Sequence, residues 1–138
     1  VANCLAEGGY DIRHRAIIPD ERSEIEEVLI RLADEVEINL IVTVGGTGFS
    51  LRDVTPEATI AVCDRMVPGI AEAMRGASLK ITPRAMLSRG QAGIRKTSLI
   101  VNLPGGPKAA VENLLAVLPV LGHGIDILLG SATECARE

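Results

Sequence analysis

Ile38 to Val44 is a short, mostly apolar run rich in β-branched residues, and it ends directly on Gly45-Gly46-Thr47-Gly48. A helix start, Thr55-Pro56-Glu57, follows within one loop. The run has the composition of a strand covered on both faces. Thr55 is expected to supply a hydroxyl N-cap, with Pro56 at the first helical position. Strand, glycine turn and helix in this order is the repeating unit of α/β sheets, so the segment argues for a sheet covered by helices.

The flanking sequence continues the alternation. Val1 to Ala6 reads as the back half of a helix that Gly8-Gly9 closes, so an N-terminal element is expected ahead of Val1. Arg13 to Ile18 reads as a strand ending at Pro19-Asp20. Residues 21 to 36 read as a helix: Ile25, Val28, Leu29, Leu32 and Val36 form one apolar stripe, and Glu21, Glu24, Glu26 and Glu27 suit its N-terminal dipole. The helix from Thr55 is expected to reach about Met66, and another runs from Pro68 to about Gly76. A short element spans Thr82 to Arg89, and residues 92 to 103 read as a hairpin turning near Lys96-Thr97. After the tight loop Leu103 to Pro107, two helices, about 107 to 117 and 119 to 129, complete the pattern. The fold class is α/β, and residues 1–138 form a single domain with no internal repeat or linker.

Composition narrows the partners. With one Phe, one Tyr and no Trp among 138 residues, the core is aliphatic and stacking on nucleic-acid bases has no platform. A net charge of −4 gives no basic face for nucleic acid. Cys4, Cys63 and Cys135 have neither disulfide nor zinc spacing; free thiols fit a reducing, cytoplasmic setting. No run is read as a membrane span, and no secretory signal is recognised.

In open α/β sheets, ligands bind beyond the carboxyl ends of the strands. Three loops qualify: Pro19-Asp20, Gly45 to Asp53, and Leu103 to Lys108. Glycines allow a phosphate to approach bare backbone N–H groups, and the helix from Thr55 adds its positive end. A plain strand-to-helix turn needs the same glycines, and the loop matches neither a Walker A sequence nor the dinucleotide fingerprint. Asp20 and Asp53 can hold Mg²⁺ together with phosphate oxygens and waters, or act as ordinary loop aspartates. Ser88 and Arg89 can reach the same crevice, where arginine suits bidentate phosphate contact, although a surface arginine is the commoner case. Lys108, in the first turn of a helix, suits an anionic ligand or simple exposure. His14 and His123 have no partner at catalytic or metal spacing and are read as structural.

The stretch Gly-Gly-Thr-Gly-Phe-Ser-Leu-Arg-Asp-Val-Thr-Pro-Glu-Ala-Thr, Gly45 to Thr59, closely resembles the signature of the MogA/MoaB family, which includes the G domains of gephyrin and plant Cnx. Ile18-Pro19-Asp20, Met66-Val67-Pro68-Gly69, Leu87-Ser88-Arg89, Leu99 to Gly105 and Pro107-Lys108 match in order and spacing. The resemblance implies a three-layer α/β/α fold with a mostly parallel central sheet, and a homotrimer. It implies a molybdopterin adenylyltransferase of molybdenum cofactor biosynthesis that uses ATP and Mg²⁺. The family's functional aspartates fall on Asp20 and Asp53, assigned to Mg²⁺ and nucleotide phosphate. Its substrate-binding positions fall on Gly45, Gly46, Thr47, Gly48, Ser88, Leu103, Pro104 and Gly105. Two departures stand out. Val44 occupies a position where many members carry threonine, and the family's first strand with its loop is expected before Val1. A paralogue that binds molybdopterin without adenylylating it is the alternative; an unrelated mononucleotide-binding domain fits the loops but not the long match.

Overall fold

Strand β4 (Ser98–Leu103) carries the molecule's centre: every residue in it is buried. The computed structural model describes residues 1–130; Cys135 lies outside the described residues. On one side β4 pairs in parallel with β1 (Leu40–Val44), Leu40 opposite Leu99 and Val44 opposite Leu103. On the other it pairs antiparallel with β3 (Ala92–Arg95), which pairs antiparallel with the two-residue β2 (Arg65–Met66). The sheet order is β1-β4-β3-β2, so among the described residues the sheet is mixed rather than mostly parallel as the resemblance implies, with one parallel pair and two antiparallel ones.

Alternation along β4 sorts the helices into two layers. Leu99, Val101 and Leu103 point to one face, where they meet α1 (Ala2–Glu7), α4 (Pro68–Leu79) and α5 (Pro107–Leu128) through Leu5, Met74, Leu114, Val117 and Leu121. Ile100 points to the other and packs with Ile41 against α2 (Arg22–Asp34) and α3 (Thr55–Val62) through Ile25, Leu29, Ala58 and Val62. The result is the expected α/β/α arrangement with an aliphatic core. The expected stripe on α2 is buried at Ile25, Leu29 and Leu32, whereas Val36 lies beyond the helix and is exposed.

Several element boundaries differ from the sequence expectation. Arg13 to Ile18 forms no strand; the segment runs irregularly over the surface, and Ile17 is fully exposed. An apolar run becomes a strand only where a neighbour shares its backbone bonds, and the segment pairs with no strand of the sheet, β1 being paired with β4 alone among the described residues. Helix α3 stops at Val62 rather than Met66. Cys63 turns extended, and Asp64 donates its N–H to the Ile94 carbonyl, drawing Arg65-Met66 into the sheet. Thr55 is inside the helix, with Val54 at the N-cap. The hairpin of β3 and β4 turns at Lys96, in the left-handed region at φ 52°.

The two expected C-terminal helices are one. Pro119 lies inside α5, on its exposed side. The carbonyl deprived of a helical donor is that of exposed Leu115, which water can satisfy. By length and composition α5 is sufficient to cross a membrane, contrary to the sequence reading; here one of its faces, including Ala110, Leu114, Val117, Leu121 and Ile125, is buried against the sheet.

Candidate functional site

The parallel pairing of β1 and β4 places their carboxyl ends side by side, and two glycine-bearing loops leave from there. Gly45 donates its N–H to the Leu103 carbonyl at 2.9 Å. A side chain on Gly105 would come within 3.3 Å of the Gly45 Cα, so the loops touch backbone to backbone. Leu103 is buried, Pro104 half-buried and Gly105 exposed. The Leu-Pro-Gly and Gly-Gly-Thr-Gly segments therefore form adjacent walls of one crevice.

Gly46 is the pivot of the first wall. Its φ is +69°, and a Cβ there would run into the Thr55 hydroxyl and lie 3.4 Å from Asp20 Oδ1. A Cβ on Gly48 would lie 2.8 Å from Asp53 Oδ2. The two carboxylates thus flank the same loop, Asp20 at one glycine and Asp53 at the next but one. Asp53 is fixed locally: its Oδ2 accepts the Ser50 N–H at 3.0 Å, and its own N–H reaches the Ser50 carbonyl. Asp20, which follows the irregular segment rather than a strand, is exposed. Among the described residues, the N–H groups of Gly46, Thr47 and Gly48 are bonded to no acceptor. Three consecutive free donors between two carboxylates suit a phosphate ester with a cation.

The third wall comes from the turn after a 3-10 helix, Pro83–Leu87, whose start is capped by the Thr82 hydroxyl. Arg75 of α4 pins this turn from behind, donating to the carbonyls of Ser88 (3.3 Å) and Gly90 (2.8 Å). Ser88 Oγ accepts the Gly90 N–H at 3.4 Å. Arg89 is not turned to the crevice as expected. Its Nε donates to the Gly48 carbonyl, one Nη to the Asp53 carbonyl and the other to Glu57 at 2.6 Å. The hydrogen bond from Arg89 holds the Glu57 carboxyl below its usual range, against the opposing effect of burial.

Beneath the loops, the buried Asn102 of β4 donates to the hydroxyls of Thr43 and Thr59 and accepts the Gln91 N–H. Sequence reasoning missed this hub and the Arg89–Glu57 pair, because both join residues more than 30 positions apart. Among the described residues, no group of three His, Cys, Asp or Glu side chains could hold a metal alone. The donor set fits Mg²⁺, which takes one or two carboxylates and completes its shell with phosphate and water. Val44 is exposed at the end of β1, and Lys108 is exposed in the first turn of α5. His14 and His123 are exposed and take no part. A cavity of about 870 Å³ runs along the open edge of β1 and reaches this crevice at Asp20, Val44, Gly45 and Thr55.

Comparison with known proteins agrees with this geometry. The profile of a family described as a probable molybdopterin binding domain matches residues 1–123. The molybdopterin adenylyltransferase of Helicobacter pylori strain J99 is 53% identical over 118 residues, covering 86% of this chain and 67% of the relative. That of Escherichia coli K12 is 50% identical over 134 residues, covering 88% and 69%. The chain spans about two thirds of the length of these relatives. The crystal structure of the molybdopterin biosynthesis enzyme MoaB from Thermus thermophilus superposes with a TM-score of 0.88 at 50% identity, covering 94% of this chain and 81% of that one. With the signature loop, the α/β/α layers and these likenesses in agreement, the chain belongs to the MogA/MoaB family of molybdopterin-binding domains.

Proposed function

We propose that this domain is a molybdopterin adenylyltransferase: it moves AMP from ATP to the terminal phosphate of molybdopterin and releases pyrophosphate. The observation that carries the reading is the run of free N–H groups at Gly46, Thr47 and Gly48, bracketed by Asp20 and Asp53. The names of relatives at 50 to 53% identity support the same activity.

In this reaction a molybdopterin phosphate oxygen attacks the α-phosphorus of ATP. A P–O bond forms, and the bond to the β-phosphate oxygen breaks, its electron pair leaving with pyrophosphate. The protein's task is to align two anionic groups and offset their charge, worth several kcal/mol in sites of this kind. The glycine loop donates N–H groups to the molybdopterin phosphate, and the Leu103-Pro104-Gly105 wall keeps the crevice narrow beside it. Ser88 adds a hydroxyl. Asp20 and Asp53 are the carboxylates that would hold Mg²⁺ beside the nucleotide phosphates. When bound, Mg²⁺ supplies positive charge to the phosphoryl oxygens. A cytoplasmic setting and assembly as a homotrimer belong to the same proposal. A shallow apolar groove between α4, β3 and α5, with Val120 exposed on its rim, is a candidate for self-association; sedimentation would decide.

The test is direct. Protein incubated with ATP, Mg²⁺ and molybdopterin should release pyrophosphate and form adenylylated molybdopterin in equal amounts. Calorimetric binding of molybdopterin with no pyrophosphate release would replace this reading with that of a binding-only paralogue.

A further inference from the structure

We propose that Arg89 is a positioning residue of this site, a brace whose guanidinium fork ties the Gly48 and Asp53 carbonyls to Glu57 and so holds the far end of the glycine loop against Asp53. What the loop binds rests on the reading above, but the brace itself lies in the fold. Arg89 makes three bonds to the glycine loop and its continuation and a fourth to α3. Its backbone N–H donates to the Thr47 carbonyl at 2.8 Å, and its Nε donates to the Gly48 carbonyl at 2.8 Å. The two Nη atoms reach the Asp53 carbonyl at 2.7 Å and Glu57 at 2.6 Å.

The consequence follows from peptide geometry. In a planar trans peptide, the carbonyl of one residue and the N–H of the next point in opposite directions. Fixing the Thr47 carbonyl on Arg89 turns the Gly48 N–H away from it. Fixing the Gly48 carbonyl does the same for the Phe49 N–H. The Gly46 carbonyl, held by the Thr55 N–H at 3.2 Å, turns out the Thr47 N–H by the same rule. The amides of Thr47, Gly48 and Phe49 are thus turned out by Thr55, by the Arg89 backbone N–H and by the Arg89 guanidinium in turn, so the side chain itself sets the Phe49 amide and ties Asp53 by its carbonyl at the far end. Only a planar fork can hold the Gly48, Asp53 and Glu57 acceptors at once; an ammonium is a point donor on a flexible stem. The brace has a firm footing, since Arg75 of α4 holds the carbonyls on both sides of Arg89.

The experiment pairs a structural readout with a kinetic one, using Arg89→Ala and Arg89→Lys. Hydrogen exchange of the Ser50 and Asp53 amides, which are bonded within the loop, should accelerate about tenfold or more in both variants while β4 keeps its protection. Turnover should fall about 100-fold in Arg89→Ala, with KM for ATP little changed. Arg89→Lys, which keeps the charge and one contact, should recover only a small part of it. Unaltered exchange at Ser50 and Asp53, full recovery by lysine, or a loss of turnover no greater than the loss of folded protein would each overturn the proposal. If Arg89→Ala does not fold, Arg89→Lys carries both arms. If the wild-type protein transfers no AMP, the enzymatic reading fails by itself and the exchange arm alone decides the role of Arg89.

Discussion

Conformation and space act together at Gly46. Its left-handed backbone disfavours any side chain, and a methyl there would collide with the Thr55 hydroxyl. Gly46→Ala should therefore lower unfolding stability by roughly 1–3 kcal/mol, seen as a lower urea midpoint, and should reduce molybdopterin binding. Asp53 gives the converse case. Asparagine keeps an oxygen to accept the Ser50 N–H, so Asp53→Asn should melt as the wild type does. Its turnover should fall by about 100-fold, as expected when charge at the phosphates is lost; unchanged turnover would sink the role given to Asp53. Cys63 is a quieter site. Burial, with nearby Asp64 adding to it, pushes its pKa up to about 11, so the thiol stays protonated at neutral pH and should label slowly in the folded protein. The glycine loop and Asp53 stand out in the sequence because they lie in one short motif, whereas Asp20, expected at a strand end, follows an irregular segment. Arg89 is legible as belonging to the site but not in its task, which depends on where the Gly48 and Asp53 carbonyls point.

Elements are readable where local chemistry alone decides them. The β3–β4 hairpin needs only a two-residue turn, and the 3-10 helix carries its own threonine cap. They are not readable where a partner decides. The residues 13–18 read as a strand but do not join the sheet, and Arg65-Met66 leaves a helical pattern because Ile94 and Gly93 offer a pairing edge. Helix α5 continues through Pro119 because the break falls on its solvent side. Since proline in a helix interior costs about 3 kcal/mol relative to alanine, part of which is offset by a stiffer unfolded chain, Pro119→Ala should stabilise the protein. A gain of roughly 1–2 kcal/mol in denaturant unfolding is expected. No gain would mean that α5 is locally bent to accommodate the ring.

On the scale of the whole molecule, two ion pairs tie distant parts of the chain. Arg95 grips Asp34 of α2 through two nitrogens, with Lys96 nearby, and Arg89 grips Glu57 of α3. The arginine hydrogen bond is the main reason each carboxyl titrates below its usual range. A folded-state pKa lowered in this way contributes stability above the unfolded-state value and loses it as pH falls through the folded one. Melting temperature should thus hold down to about pH 5 and decline below the ordinary carboxylate range of about 4. Glu57→Gln should flatten part of that decline; an equally steep fall would deny Glu57 a share in it. The parallel pairing of β1 with β4 has one more consequence, in time rather than space. Thr43 and Asn102, opposite each other in that pairing, are 59 positions apart. During synthesis the glycine loop emerges long before the strand that completes its crevice, and the hairpin, being local, closes sooner than the β1–β4 pair. The crevice between these loops is not formed until Leu103 has arrived. A ligand held between these loops should therefore slow unfolding and leave the rate of refolding unchanged.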